Sequence, residues 1–254
     1  MVLDYDGTLC SSQDRYNKLS VEIADQLIRI LAAGFILGII TGRGKSVRKE
    51  LQKVIPKKYW RKVIVGYYNG SDIGTLDNES LPVTDSNQNS ELLRIHSRLL
   101  EHDFISKLKT ELRPKQLTIE IANKKDWPKL KGFIQQVVMQ LDAVNIQVLE
   151  SSHSMDIIVR PDVSKLNIFP FCQEMSQKFK ISEQSICIGD RGQGPGNDYE
   201  LLSTKYSLSV DEVSADSNSC WNLSPLGLNG VDSTICYLKR LKFHDKYFTI
   251  DYEK

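Results

Sequence analysis

Residues 1–10 read MVLDYDGTLC, a short apolar run, then two aspartates one residue apart, then Gly-Thr. An apolar run that breaks into Asp and Gly marks the end of a strand and the start of a turn, so Asp4 and Asp6 stand where one strand stops. Only Met1, Val2 and Leu3 precede Asp4. That is short for a central strand and is expected of a clipped or unusually compact version of a longer chain.

Working outward, SVEIADQLIRILAAGF places Ile23, Leu27, Ile30 and Leu31 at helical spacing, with Ser20 as N-cap and Gly34 as stop. ILGIITGRG then reads as a buried strand breaking into a glycine turn, SVRKELQKVI as a helix ahead of Pro56, and KVIVGYYNG as a further apolar strand. This β-α-β-α-β alternation makes a parallel sheet with helices on both faces. The rhythm breaks near residue 72. There follow a polar stretch, an amphipathic helix over ELLRIHSRLLEHDFISKLKTEL, the open-faced strand QLTIEIA, a helix in WPKLKGFIQQVVMQLDA, and the strands IQVLES and SMDIIVRP. The alternation resumes with a helix in KLNIFPFCQEMSQKF, the strand QSICIGD, a short helix in NDYELLSTK, the strand YSLSV and a final helix in DSTICYLKRLKF, with a surface loop from about Ser214 to Asn229. The expected architecture is α/β, a Rossmann-like doubly wound parallel sheet core (1–71 and 156–254) carrying an inserted α+β cap domain (72–155).

Composition bounds the partners. The chain has 254 residues, 41% hydrophobic and 26% charged, which are ordinary globular values with room for a sizeable core. Its 33 Lys and Arg nearly balance 32 Asp and Glu, so nothing argues for a nucleic-acid or membrane partner. Cys10, Cys172, Cys187, Cys220 and Cys236 are widely spaced and lack C-x-x-C pairs, which reads as reduced thiols in a cytoplasmic protein. No apolar stretch is long enough for a membrane span, and no leader-type segment opens the sequence. The four histidines, His96, His102, His153 and His244, have no zinc-ligand spacing.

In a parallel sheet, ligands gather at the carboxyl ends of the strands. Asp4 and Asp6 follow the first strand, Thr41 and Arg43 the second, Asn69 the third, and Asp190 closes SICIG. Each alone reads as a turn-former; together they read as a site.

These residues resemble the haloacid dehalogenase superfamily of phosphotransferases, in particular its members with a large cap after the third core strand. The resemblance rests on DYDGTL, IITGR, Lys165 in RPDVSKLN, and IGDRGQGPGND, supported by YYNGSDIG and GLNGVDSTICYL. It runs through the whole chain in order, and sucrose- and trehalose-phosphate phosphatases and bacterial sugar-phosphate phosphatases are the subgroup it looks most like. It implies a Mg²⁺-dependent phosphomonoester hydrolase for a small phosphorylated metabolite, expected to be a sugar phosphate. Dehalogenases of the superfamily lack the second aspartate, and its transport ATPases carry threonine there.

The chemistry assigns roles consistent with that. Phosphoryl transfer needs a nucleophile, a cation against the anionic reactant, donors for the phosphate oxygens and a proton for the leaving group. Asp4 is the expected nucleophile, forming an aspartyl-phosphate, and Asp6 the acid and base. Mg²⁺ would be held by Asp4, the backbone carbonyl of Asp6, and Asp190. Thr41, Gly42, Lys165 and Asn197 are expected on the phosphate, with Asp198, Arg43 and Asn69 as secondary candidates. The fourth motif departs from the family, because Asp198 lies further from Asp190 than is usual; Asn197 reads equally well as the N-cap of DYELL. In the cap, His153, Ser154 and polar residues of QLTIEIA are specificity candidates; Trp127 and Trp221 read as packing residues. The alternatives are a hexose phosphomutase using the same Asp-x-Asp pair and a non-catalytic binding or regulatory module of the same fold.

Overall fold

The computed structural model describes residues 1–11, 19–83, 87–121, 123–151, 153–182 and 184–252. Their packing forms two compact units, one from Met1–Pro82, Lys165–Gly194 and Asp198–Lys254, the other from Val83–Ser164 with Pro195–Asn197.

The first unit is built on a six-stranded sheet of β1 (Val2–Asp4), β2 (Leu37–Ile40), β3 (Val63–Tyr67), β4 (Asp72–Thr75), β9 (Cys187–Arg191) and β10 (Ser207–Glu212), in the order β10-β9-β1-β2-β3-β4. The five strands from β10 to β3 pair in parallel, with Val2 opposite Gly38 and Asp4 opposite Ile40, and only β4 runs antiparallel. Parallel strands buried on both faces carry apolar residues at successive positions. Val2 accordingly packs with Ile64, Ile168 and Cys172 on one side, while Leu3 packs with Ile23, Leu27 and Ile39 on the other. The helices that supply these layers are α1 (Val21–Ala32), α2 (Lys45–Val54), α6 (Ile168–Phe179), α7 (Tyr199–Leu202) and α8 (Gly230–Lys239). The doubly wound α/β core is thus present. The start and stop of α1 are the ones its sequence encodes, since Ser20 Oγ accepts from the Ile23 N–H at 3.2 Å and Gly34 ends the helix at φ +99°.

Two stretches differ from the expected pattern. LKTEL does not continue a helix: α3 (Ser90–Leu100) and the single turn α4 (Asp103–Ser106) are followed by β5 (Lys109–Leu112). His102 Nδ1 caps α4 by accepting from the Phe104 N–H at 3.3 Å, and Lys109 pairs with Glu120 across the strands at 2.9 Å. Pairing with a neighbouring strand overrides a helix-compatible sequence here. Likewise α8 ends at Lys239, and β11 (Leu241–Phe243) forms a hairpin with β12 (Phe248–Ile250), where Phe243 and Phe248 both pack on the Phe35 ring.

The second unit has an antiparallel sheet of β5, β6 (Gln116–Glu120), β7 (Ile146–Glu150) and β8 (Ser154–Val159) in the order β5-β6-β8-β7. Leu92, Ile95 and Leu99 of α3, with Leu130 and Ile134 of α5 (Trp127–Gln140), pack on Leu117, Ile119, Met155 and Ile157. This is the expected α+β composition. The units divide at Pro82 rather than Ser71 because β4 pairs with β3, and at Ser164 rather than Met155 because β8 pairs with β6 along its length. Among the described residues no helix is long and apolar enough to cross a membrane, and all five cysteines are free thiols.

Candidate active site

Asp4 is the last residue of β1 and is only 1% exposed. Its Oδ1 accepts from Lys165 Nζ at 2.6 Å, and Oδ2 accepts from Thr8 Oγ1 at 3.4 Å. Lys165 opens the turn that leads into α6 and is itself 2% exposed. A second bond of 2.6 Å from the same ammonium reaches Asp198 Oδ1. The lengthened fourth loop therefore brings Asp198 back beside Asp190, and the other oxygen of Asp198 accepts the N–H groups of Asp190 (3.1 Å) and Arg191 (3.2 Å). Asp198 is the residue whose place the spacing alone left open; the ends of β1 and β9 and the start of α6 converge on it.

Two glycines make room for this. Gly7 has φ +88°, and a Cβ there would sit 2.2 Å from Asp190 Oδ2. At Gly189 a Cβ would lie 2.9 Å from the Asp198 carboxyl carbon.

Oxygens of Asp4, Asp190 and Asp198 lie within 4.8 Å of one another. Burial, then the Asp198 charge, pushes the Asp4 carboxyl up to about 8 against the pull of Lys165. Asp190 is likewise raised well above the usual range by burial and by Asp198 and Asp4. Burial acts in the same direction on Asp198, but Lys165 and the hydrogen bonds at Asp190 and Arg191 outweigh it and hold this carboxyl low. Lys165, although burial disfavours its charge, is raised by the two carboxylates and remains an ammonium. Three carboxyl groups crowded around one ammonium make a set built entirely of oxygen donors, two of which hold their protons until a positive charge arrives, and this set fits a hard divalent cation.

A pH dependence follows. Asp4 titrates near 8 when folded and near roughly 4 when unfolded, so between these values the folded state holds more protons. The stabilisation is complete below the lower value and is lost as pH rises through the upper one. Asp198 has the opposite sign, and its contribution is lost only on acidification below the usual carboxylate range. In chelator, the melting temperature is expected to fall from about pH 5 to about pH 8, and a saturating divalent cation is expected to flatten that slope because it takes the deprotonated carboxylates. Scanning fluorimetry in the two buffers checks this; a flat profile in chelator contradicts it.

Asp6 lies apart from this cluster, its side chain 21% exposed. One of its oxygens accepts from Thr41 Oγ1 at 3.3 Å, the other from Arg43 Nη1 at 3.2 Å. The two aspartates of the DYD sequence thus have different partners: the Lys165 ammonium and the Thr8 hydroxyl for Asp4, the Thr41 hydroxyl and the Arg43 guanidinium for Asp6. Thr41 Oγ1 also accepts from the Arg43 N–H at 3.0 Å, and the buried Asn69, at φ +54°, donates its N–H to the Thr41 carbonyl at 2.8 Å.

No protein-family profile matches this sequence, and no curated protein does. Solved structures match its fold. The C-terminal domain of the C. albicans trehalose-6-phosphate phosphatase superposes with a TM-score of 0.63 at 13% identity, covering 93% of this chain and 89% of that one. A trehalose-6-phosphate phosphatase related protein superposes at 0.52 and 16% identity over 94% of both chains. Truncated Plasmodium falciparum IMP-nucleotidase gives 0.53 at 14% identity over 84% of this chain and 66% of that one. The chain shares its fold with these phosphatase structures.

Within this fold the structure brings together Asp4, Lys165, Asp190 and Asp198, and separately Asp6, Thr41 and Arg43. Asn197 belongs to the second unit, where its N–H donates to the Glu150 carbonyl at 3.0 Å. It does not cap α7: Asp198 stands at the cap position and its carboxylate is turned to Lys165 instead. Trp127 donates Nε1 to Glu150 at 3.1 Å; Trp221 donates to the Ser217 carbonyl at 3.0 Å and is half exposed. Tyr5 and Glu50 enter the site region without having been singled out in the sequence, and Thr8, expected to hold the turn through the backbone, donates its hydroxyl to the Asp4 side chain. The G-T of DYDGTL was a cue for Thr8, whereas Glu50 sits in a helix that reads as charged surface.

Proposed function

We propose that this protein is a Mg²⁺-dependent phosphomonoester hydrolase that works through an aspartyl-phosphate on Asp4 and acts on a small phosphorylated metabolite of the sugar-phosphate class. The observation that carries it is the buried Asp4–Lys165–Asp198 linkage with Asp190 beside it, set apart from a second, more exposed carboxylate held by Thr41 and Arg43.

Asp4, Asp190 and Asp198 would hold the cation, with the backbone carbonyl of Asp6. Bound there, it offsets the repulsion between a carboxylate nucleophile and a phosphate dianion. An oxygen of Asp4 attacks phosphorus, the bond to the ester oxygen breaks, and Asp6 gives that oxygen its proton. Asp6, now an anion, takes a proton from water, whose oxygen attacks the aspartyl-phosphate and regenerates Asp4 with release of inorganic phosphate. Lys165, fixed by two carboxylates, places positive charge beside the transferring group, and Thr41 and the Gly42 N–H supply hydrogen bonds to its oxygens. The Asp6 partners suit this alternation, because a hydroxyl and a guanidinium both donate and so support it as an anion between steps.

The trehalose-6-phosphate phosphatase neighbours and the IMP-nucleotidase neighbour are named for phosphates carried on a sugar hydroxyl, and that shared chemistry supports the substrate class. A panel of hexose phosphates, disaccharide phosphates and nucleoside monophosphates, assayed for inorganic phosphate with Mg²⁺ and with chelator, tests it. Phosphate release with Mg²⁺ and none with chelator is expected. Isomerised hexose phosphate without phosphate release would identify a mutase, and no turnover of any ester would leave a binding module.

A further inference from the structure

The side chain of Asp6 must face the leaving group in a reproducible direction, yet it is the more exposed of the two DYD carboxylates. One of its partners is Arg43, whose side chain is 6% exposed. What fixes Arg43 is a second carboxylate. Nη2 donates to Glu50 Oε1 at 2.6 Å and to Ser46 Oγ at 3.1 Å, while the guanidinium lies 5.5 Å from the centre of the Tyr5 ring. The remaining oxygen of Glu50 accepts from the Tyr5 hydroxyl, also at 2.6 Å.

Tyr5 is fully buried and Glu50 is 8% exposed. The links Tyr5–Glu50–Arg43–Asp6 start and finish on adjacent residues of one turn, so the chain of contacts closes on itself through α2. A buried carboxylate is costly unless both oxygens are matched by strong donors. Here they are, although the rest of α2 supplies only lysines, a serine, another arginine and a glutamine among its polar residues. A guanidinium held at one end by a carboxylate presents its other edge in a fixed plane, which a single flexible ammonium does not do.

We propose that Glu50 is a positioning residue for Asp6: anchored by Tyr5, it orients Arg43, and Arg43 aims the Asp6 carboxyl at the leaving-group oxygen. This rests on the reading of Asp6 as the proton donor. It predicts a signature that a merely structural tie between α2 and β1 would lack. Protonation matters when the departing group is an alkoxide and hardly at all when it is a stable phenolate, and kcat/KM reports the step in which that group leaves.

The test measures kcat/KM with Mg²⁺ for a series of phosphate monoesters running from p-nitrophenyl phosphate to a simple alkyl phosphate. Glu50→Gln, which keeps the side chain's shape, is expected to lower the alkyl value by about 10–100-fold and the p-nitrophenyl value by less than about 3-fold. Arg43→Lys is expected to give the same tilt, and the double variant to be no worse than the poorer single one, because both act through one contact. Tyr5→Phe removes only the anchoring hydroxyl and is expected to give a smaller tilt in the same direction, which keeps the idea testable if Glu50→Gln folds poorly. An equal loss on both esters, or no change on either, overturns the proposal. Should the unsubstituted protein hydrolyse no ester in the series, the phosphatase reading itself has failed, a result separate from any property of the Glu50 variants.

Discussion

Asp4→Asn is expected to lower kcat/KM for a phosphate ester by about 10⁴-fold or more, since it replaces the attacking carboxylate with a neutral amide that is a poor nucleophile. The same variant is expected to fold normally. In the absence of a cation the charged form of Asp4 is disfavoured by burial and by Asp198, so a neutral amide of the same shape relieves that cost while its carbonyl still accepts from Lys165. Its melting temperature in chelator near neutral pH is therefore expected to equal or exceed that of the unsubstituted protein, and its gain on adding Mg²⁺ to be smaller. Activity and stability moving in opposite directions would mark a residue placed for chemistry. Residual activity within about tenfold of the original would remove Asp4 from the nucleophile's role.

Lys165→Met is the second large effect, and here the two readouts move together. Lys165 is the ammonium that both Asp4 and Asp198 contact, each at 2.6 Å. Removing one partner of a buried ion pair costs about 3–5 kcal/mol, on the order of 10 °C in melting temperature for a chain of this size. The loss is expected to shrink as pH is lowered, because the stranded carboxylates then take up protons. Turnover is expected to fall as well, since charge beside the transferring phosphoryl group is lost. Melting curves at neutral and mildly acid pH check the stability arm; an unchanged melting temperature at neutral pH would mean that the ammonium is dispensable to the folded core.

How much of this could be read from the residues depends on what fixes each part. The core strands announce themselves because parallel strands are covered on both faces, so Val2-Leu3 and Leu37-Gly38-Ile39-Ile40 are apolar at consecutive positions, and α1 carries its own cap and stop in Ser20 and Gly34. Once the strands are placed, the loops that follow them locate Asp4, Asp6, Thr41 and Asp190 at one edge of the sheet. The rest is decided by partners distant in the chain. Lys109–Leu112 carries residues any helix accepts, and only Glu120 and its neighbours on β6 make it a strand. The hairpin of β11 and β12 depends on Phe35, more than two hundred positions earlier in the sequence. Asp198 sits at an unusual spacing, and its role emerges only when the loop after β9 turns its carboxylate back to the N–H groups of Asp190 and Arg191. Glu50 is hidden for the same reason: within KSVRKELQKV nothing distinguishes it from a solvated glutamate until Tyr5 and Arg43 are folded against it.

The central claim is that a phosphoryl group passes through the carboxylate of residue 4. Acid quenching of the protein during turnover of a radiolabelled phosphate ester with Mg²⁺, followed by borohydride reduction and peptide mass spectrometry, tests it most directly. The predicted result is label that hydroxylamine releases, with position 4 converted from aspartate to homoserine. Steady turnover with label on another residue, or with no labelled protein at any time of quenching, would contradict it.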